Sequence, residues 1–279
     1  MGLIRSLEIP EAVSDITARL DPPAVRTSEP PCCCASSLGQ VESAWRLVYD
    51  RYSDMGLIDK NPFGIHAGPT GVGQHACVIW GPEGPVVGYT MTLFRDNPEG
   101  LALDSVYPRY LDEMREKGRR LLEVGMLADR RQNAARGIGA LFSMMRWAIY
   151  YALHTELTDI VIGVHPRHAQ FYERCYAFGQ FASPASYPLV RNHPVVPLRL
   201  RLRERLANDV LPRGLADARN NPVPASAFSR RFGFEPQQLR GSLIAGYMKA
   251  RYGIDPCQTA GSVQSGSVRV GRDLAWSAA

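Results

Sequence analysis

The tightest constraint on the fold of this chain is an alternation of strand and helix patterns between residues 120 and 176. Arg120 to Ala128 carries the apolar run LLEVGMLA, bounded by Asp129, and reads as a strand. A helix follows from about Arg136 to Leu153, with Ile138, Leu141, Phe142, Met145, Ile149 and Ala152 recurring at spacings of three and four. Asp159 to Val164, DIVIGV, is a continuous apolar run of the kind buried between two layers. His168 to Tyr176 then reads as a second helix, with Phe171, Tyr172 and Cys175 on one side. Strand, glycine-started helix, strand and helix make a βαβα unit.

The segments around this unit are organised more simply. Residues 1 to about 38 are rich in Pro, Ser and Cys without periodicity and read as a flexible leader. Val41, Ala44, Trp45, Val48 and Tyr52 share one side of a first helix, which Gly56 ends or kinks. His75 to Trp80 and Val86 to Phe94 are β-rich runs split by Gly81-Pro82-Glu83-Gly84-Pro85, a hairpin signal. Asp104 to Arg119 reads as a charged helix or structured crossover. In Leu198 to Arg203 leucine and arginine alternate strictly, which predicts a strand with leucines inward and arginines outward. Beyond Leu206, residues 207–229 read as loop, 234–252 as a candidate helix, and the Gly/Ser/Gln-rich end as frayed. The expected organisation is a leader (1–38), a core domain (39–206) and a partly helical C-terminal extension (207–279).

Composition excludes several classes. No apolar run approaches the ~20 residues of a membrane-spanning helix, and the first twenty residues lack the apolar centre of a secretory signal, so a soluble cytoplasmic protein without a membrane span is expected. Met1-Gly2-Leu3-Ile4-Arg5-Ser6 fits a myristoylation pattern, and Cys32-Cys33-Cys34 offers palmitoylation sites. The plainer reading is an unstructured leader with reduced thiols. Cys77, Cys175 and Cys257 show neither metal-ligand spacing nor a disulfide framework, so no metal is expected. The net charge is +5, yet ten arginines lie between Arg191 and Arg240 against four acidic residues. Such a surface attracts an acidic partner or a phosphate, and no motif points to nucleic acid.

The order of elements resembles the GNAT acyltransferase fold over roughly residues 40 to 205. Three segments carry the likeness: AWRLVYDRYSDMGLI at 44–58, RRLLEVGMLADRR at 119–131 and VIGVHPRHAQFYERCYAFG at 161–179. The last is similar to the HP-R-H-x-x-FY-x-R-x-x-x-F stretch of the FeeM-type N-acyl amino acid synthases and of exosortase-associated acyltransferases, relatives of the acyl-homoserine lactone synthases. The resemblance implies an α+β fold, a mixed and mostly antiparallel sheet flanked by helices. It also implies a long-chain acyl donor, usually on an acyl carrier protein, and an amino acid whose α-amine is acylated. No permanently bound cofactor follows, only acyl-phosphopantetheine or acyl-CoA as co-substrate. Two departures bear on this. Coenzyme A-binding relatives carry Gln or Arg where this chain has Ala134, and autoinducer synthases show Glu-x-x-Arg where this chain has Glu123 followed by Met126.

Amide formation from a thioester needs a deprotonated amine, a stabilised oxyanion and a proton for the thiolate. Glu123, the one carboxylate inside LLEVGML, is the candidate base, since burial raises a carboxyl pKa toward neutrality; it is alternatively solvent-facing or paired with an arginine. The fold resemblance implies that backbone N–H groups of Met126, Leu127 and Ala128 bind the thioester carbonyl. Gly137 and Gly139 at a helix start suit a phosphate, with Arg131 and Arg136 as helpers, or else form a tight turn. Tyr172 occupies the place of the GNAT tyrosine that protonates the thiolate, or is core. Arg167 and His168 are candidates for the acceptor carboxylate, against a capping or surface role, and Arg46 is implied on the acceptor side by related synthases. The competing functions are a coenzyme A-dependent N-acetyltransferase of a small amine and a non-catalytic acyl-binding protein of this fold.

Overall fold

The computed structural model describes residues 32–130 and 134–258; of residues 134–137 only the backbone is described. Helix α1 (Leu38–Asp54) starts where Ser37 Oγ accepts the Gln40 N–H at 3.4 Å, a side-chain N-cap. Its stripe of Val41, Ala44, Trp45 and Val48 is buried, as the spacing predicts. Strands β2 (Ala76–Glu83) and β3 (Val86–Arg95) form the antiparallel hairpin, turning at Gly84 with φ 58°. The predicted break at Gly81 does not occur. The strand runs on through a register shift there, because Gly81 leaves room for the Tyr89 ring, which a Cβ would meet at 1.9 Å.

A 3-10 turn (Ala102–Ser105) and helix α2 (Pro108–Glu116) fill the charged crossover. The βαβα unit follows as β4 (Leu121–Asp129), α3 (Ala134–His154), β5 (Asp159–Val164) and α4 (Pro166–Tyr176). Strands β6 (Gly179–Gln180), β7 (Ala185–Tyr187) and β8 (His193–Arg201), with a short N-terminal strand β1 (Cys33–Cys34), complete the order β1-β2-β3-β4-β5-β8-β6, with β7 also on β8. Among the described residues every pairing is antiparallel except β4 with β5. This is the α+β arrangement expected from the sequence. One sheet face packs on α3 and α4 through Phe142, Met145, Tyr151 and Tyr176; the other packs on α1 and α2 through Trp45, Leu103 and Leu111.

Four expectations change. The leader is ordered from Cys32: Cys33–Cys34 forms edge strand β1 on β2, and Cys34 and Ala35 are buried. The leucine/arginine strand stops at Arg201, where Leu202 starts a short helix, α5 (Leu202–Leu206). Arg199 does not face outward, because its Nε donates at 2.7 Å to Asp159, a wholly buried carboxylate that also accepts from Arg119. The region read as loop contains α6 (Arg213–Asn220), packed on α3 through Leu215 and Ala218. The candidate helix at 234–252 is two helices, α7 (Pro236–Leu239) and α8 (Leu243–Tyr252), separated at Gly241 with φ 71°. The described cysteines are all free thiols. The myristoylation pattern lies outside the described residues, and none of the described helices is long and apolar enough to cross a membrane.

Candidate active site

Strands β4 and β5 run together for only three residues. Leu121, Leu122 and Glu123 pair with Asp159, Ile160 and Val161, and beyond Glu123 the partner of β4 is β3 alone. Burial records the divergence: Gly125, Met126 and Leu127 on β4, and Gly163 and Val164 on β5, become partly accessible where the strands part. Glu123 is therefore the last paired residue, at the apex of a cleft cut into the sheet.

The cleft is shaped by a bulge. Thr92 pairs with Gly125 and Thr90 with Ala128, so β4 fits one extra residue opposite Met91, and Met126 adopts φ 54°. A methionine in the left-handed region is costly and persists where its surroundings enforce it. The three residues named from sequence for their N–H groups, Met126, Leu127 and Ala128, are thus the bulge and its exit, on the strand edge that β5 has left.

Glu123 is 4% exposed. The N–H of Leu103, in the 3-10 turn, donates to its Oε2 at 3.1 Å, and the Ala102 N–H also faces the carboxylate. Burial pushes its pKa up to about 8; the two N–H groups oppose the rise, and the charges of Asp104 and Asp96 add to it. The turn comes this close because β5 carries Gly163, where a Cβ would meet Leu103 and Val195 side chains at 2.8 Å. Of the readings open from sequence, the solvent-facing and arginine-paired ones fail. Glu123 is a buried carboxyl titrating near neutrality.

Around it stand groups that the sequence does not single out. Tyr187 at the end of β7 lies within electrostatic reach of Glu123, Tyr52 and Tyr252, and burial pushes its pKa well up. Tyr52, pushed up to about 12 by burial, packs on the His66 ring with centroids 5.6 Å apart. Burial and then Arg251 bring His66 down to about 4, so its imidazole is neutral at physiological pH. Tyr252 on α8 donates to Ala67 O at 2.8 Å. These residues come from four separate segments, with no local pattern to link them.

Tyr172 lies on the inner side of α4, with Phe171, Tyr176 and Phe178 at centroid distances of 5.3–6.5 Å. It is core by burial, at 7% exposed. Burial and then the nearby Tyr52 raise its pKa, which keeps it protonated. Glu123, Tyr187, Tyr52 and Tyr172 are thus joined in one chain of electrostatic neighbours.

Other candidates are not. Arg46 is exposed and reaches over Gly64, because it lies off the buried stripe of α1. At the start of α4, His165 Nδ1 caps by accepting the Arg167 N–H at 3.4 Å. Arg167 is exposed and its Nε donates to His168 Nε2 at 3.2 Å; burial and then Arg167 hold His168 down to about 4. Arg131 lies outside the described residues. Helix α3 begins at Ala134, two residues before the expected Arg136, so Gly137 falls in the first turn and Gly139 in the second, where the N–H is inside the helical ladder. A Cβ at Gly139 would meet nothing within 4 Å.

Comparison with known proteins fits this geometry. The family model described as N-acyl amino acid synthase FeeM matches residues 43–201. Among solved structures, that of FeeM, an N-acyl amino acid synthase from uncultured soil microbes, aligns at 24% identity and a TM-score of 0.57, covering 65% of this chain and 94% of FeeM. A coenzyme A-dependent acyl-homoserine lactone synthase, BjaI, aligns at 14% identity and a TM-score of 0.46 over 68% of this chain and 100% of its own. A putative N-acetyltransferase from Lactobacillus plantarum aligns at 14% identity and 0.42, over 62% and 97%. No curated protein matches by sequence. The family match runs from within α1 to the last residue of β8, more than half of the chain, and encloses the cleft, the bulge and the α4 tyrosine; the chain belongs to the FeeM family of N-acyl amino acid synthases and is an acyltransferase of the GNAT fold.

Proposed function

We propose that this acyltransferase moves a long-chain acyl group from an acyl carrier protein thioester to the α-amine of an amino acid, with Glu123 as the general base. One observation carries the reading: a buried carboxyl, raised to about 8, at the apex where the parallel strands β4 and β5 part. At that value a carboxylate is a strong enough base to take a proton from an ammonium of comparable pKa, directly or through water. The freed amine attacks the thioester carbonyl carbon. Backbone N–H groups of Met126, Leu127 and Ala128 receive the oxyanion, helped by an edge that β5 has left. The C–S bond then breaks, Tyr172, held protonated by burial, supplies a proton to the thiolate, and the second proton lost from the attacking nitrogen returns to Tyr172, so that neutral amide and thiol leave.

The first turn of α3, which includes Arg136 and Gly137, is our candidate for the phosphate of the pantetheine arm, since its N–H groups are free; Gly139, one turn further on, offers none. Arg167 and His168 remain candidates for the acceptor carboxylate, since an exposed guanidinium beside a neutral imidazole can pair with one. The carrier protein as donor rests on Ala134 standing where coenzyme A-binding relatives carry Gln or Arg. Purified protein offered acyl carrier protein or coenzyme A thioesters with a panel of amino acids, read by mass spectrometry, tests donor and acceptor together. Carrier-dependent N-acyl amino acids are the expected product, and turnover of acetyl-CoA alone would overturn the reading. Glu123→Gln is expected to slow acylation by ~10²-fold or more, and an undiminished rate in the folded variant removes Glu123 from the mechanism.

A further inference from the structure

One charged network stands directly behind Glu123. The Arg115 guanidinium on α2 holds two carboxylates at once: Nε and Nη2 donate to Asp96 at 2.8 and 2.9 Å, and Nη1 and Nη2 to Asp104 at 2.8 and 2.6 Å. A third, Asp112, accepts from Nη1 at 2.8 Å at the exposed rim. Asp104 belongs to the 3-10 turn whose Leu103 N–H binds Glu123, and its Oδ2 also accepts the Leu101 N–H at 2.7 Å. Asp96 comes directly after β3, and its N–H bonds to Leu121 O, two residues before Glu123 on β4. One guanidinium therefore ties together both segments that bracket the carboxyl.

We propose that Arg115, which does not touch Glu123, is a positioning residue for it: gripping Asp96 and Asp104, it seats the 101–104 turn against the carboxylate and neutralises two neighbouring negative charges. The inference rests on the reading of Glu123 as base. The charged and titratable groups facing Glu123 are Asp104 in the turn, Asp96 after β3 and Tyr187 on β7; Val161, its partner on β5, carries none. Of these the two aspartates are the ones that Arg115 controls.

Charge makes opposite predictions for removing the cation and removing one anion. Arg115→Met leaves both aspartates uncompensated beside Glu123, so its titration moves up, by about one pH unit. Asp96→Asn removes one negative charge, keeps an oxygen for the Asn97 N–H that Asp96 Oδ1 now binds at 3.1 Å, and moves the titration down by about as much. Arg115→Lys keeps the charge and returns the titration toward that of the wild type. The carboxyl is read by pH-dependent infrared difference spectroscopy, with Glu123→Gln identifying its band, and the rate profile is measured beside it. The amine substrate titrates identically in every assay, so differences between variants report the protein. Opposite shifts for Arg115→Met and Asp96→Asn establish the coupling; equal shifts, or none, overturn it. Should Arg115→Met not fold, Asp96→Asn is measured against Arg115→Lys: the first is expected to lower the titration by about one pH unit and the second to leave it near that of the wild type, and no difference between them overturns the coupling. Opposite shifts that the rate does not follow leave the coupling standing and remove Glu123 as the base.

Discussion

Two buried carboxylates on adjacent strands meet opposite fates, and the difference lies in their partners. Asp159 is fully buried, and burial alone would raise its pKa; bonds from Arg119, Thr158 and Arg199 outweigh that and hold it below its ordinary 3.8. Its contribution to stability is complete above that value and is lost as pH falls below it. Asp159→Asn leaves two arginines without their shared anion, so a loss of about 3 kcal/mol at neutral pH is expected in denaturant melts. Glu123 has only backbone donors and rises to about 8. Here the sign reverses: an unfolded chain releases the proton near 4.5 while the folded one retains it, so a penalty opens above 4.5 and levels off above about 8. Glu123→Gln is expected to be more stable than the wild type at pH 9 by a few kcal/mol, and nearly equal to it at pH 4. A variant destabilised equally at both would show that the carboxyl is not strained. Glu123 is legible in the sequence as a lone carboxylate inside LLEVGML. Asp159, at the head of DIVIGV, is not, because Arg119 and Arg199 each lie forty residues away and only the sheet register unites them with it.

At the scale of elements, periodicity recovers what local packing dictates and misses what distant packing decides. Helix α1 and the helices of the βαβα unit follow a period of 3.6 because each buries one face, while β3 and β5 read as continuous apolar runs because both of their faces are covered. The bulge in β4 leaves no such trace: GMLA reads as continuous strand, and only the pairing with Thr90 and Thr92 reveals the extra residue. Helix α6 escapes a reading by pattern because RGLADARN is short and has a glycine, a poor helix former, in its first turn. That glycine has a purpose which the fold supplies. A Cβ at Gly214 would lie 2.3–2.6 Å from the ring of Tyr176, itself 1% exposed, so α6 can approach α4 closely only without one. Gly214→Ala would gain helix propensity on an exposed helix. Here it is expected to cost about 1–3 kcal/mol, because a buried ring has nowhere to move. A stabilised Gly214→Ala variant in thermal melts would mean that α6 is not docked on Tyr176.

For the molecule as a whole, the question is whether the family domain is an independent unit. The match to the family ends at Arg201, and FeeM is 94% covered by 65% of this chain, so most of the C-terminal region beyond β8 has no counterpart there. The sequence suggests a separable extension, since its patterns weaken after Leu206. The structure integrates residues 213–252 into both sheet faces. Leu215 and Ala218 join the core around α3, while Phe232, Phe234, Leu239, Ile244, Tyr247 and Met248 join the core of α1. Phe234 stacks on Trp45 at 5.7 Å, and Phe232 N–H bonds to Ala35 O beside the edge strand β1. Burying one large apolar side chain contributes about 1.5–3 kcal/mol. A chain without these side chains leaves their apolar counterparts on α1 and α3 facing water. A chain ending at Leu206 is therefore expected to aggregate, exposing Trp45 and Tyr176 together. Circular dichroism and sedimentation of this fragment beside the full-length protein test it: a soluble, cooperatively melting 1–206 fragment would show that the extension is an accessory, and would return to the family domain the autonomy that its packing here denies it.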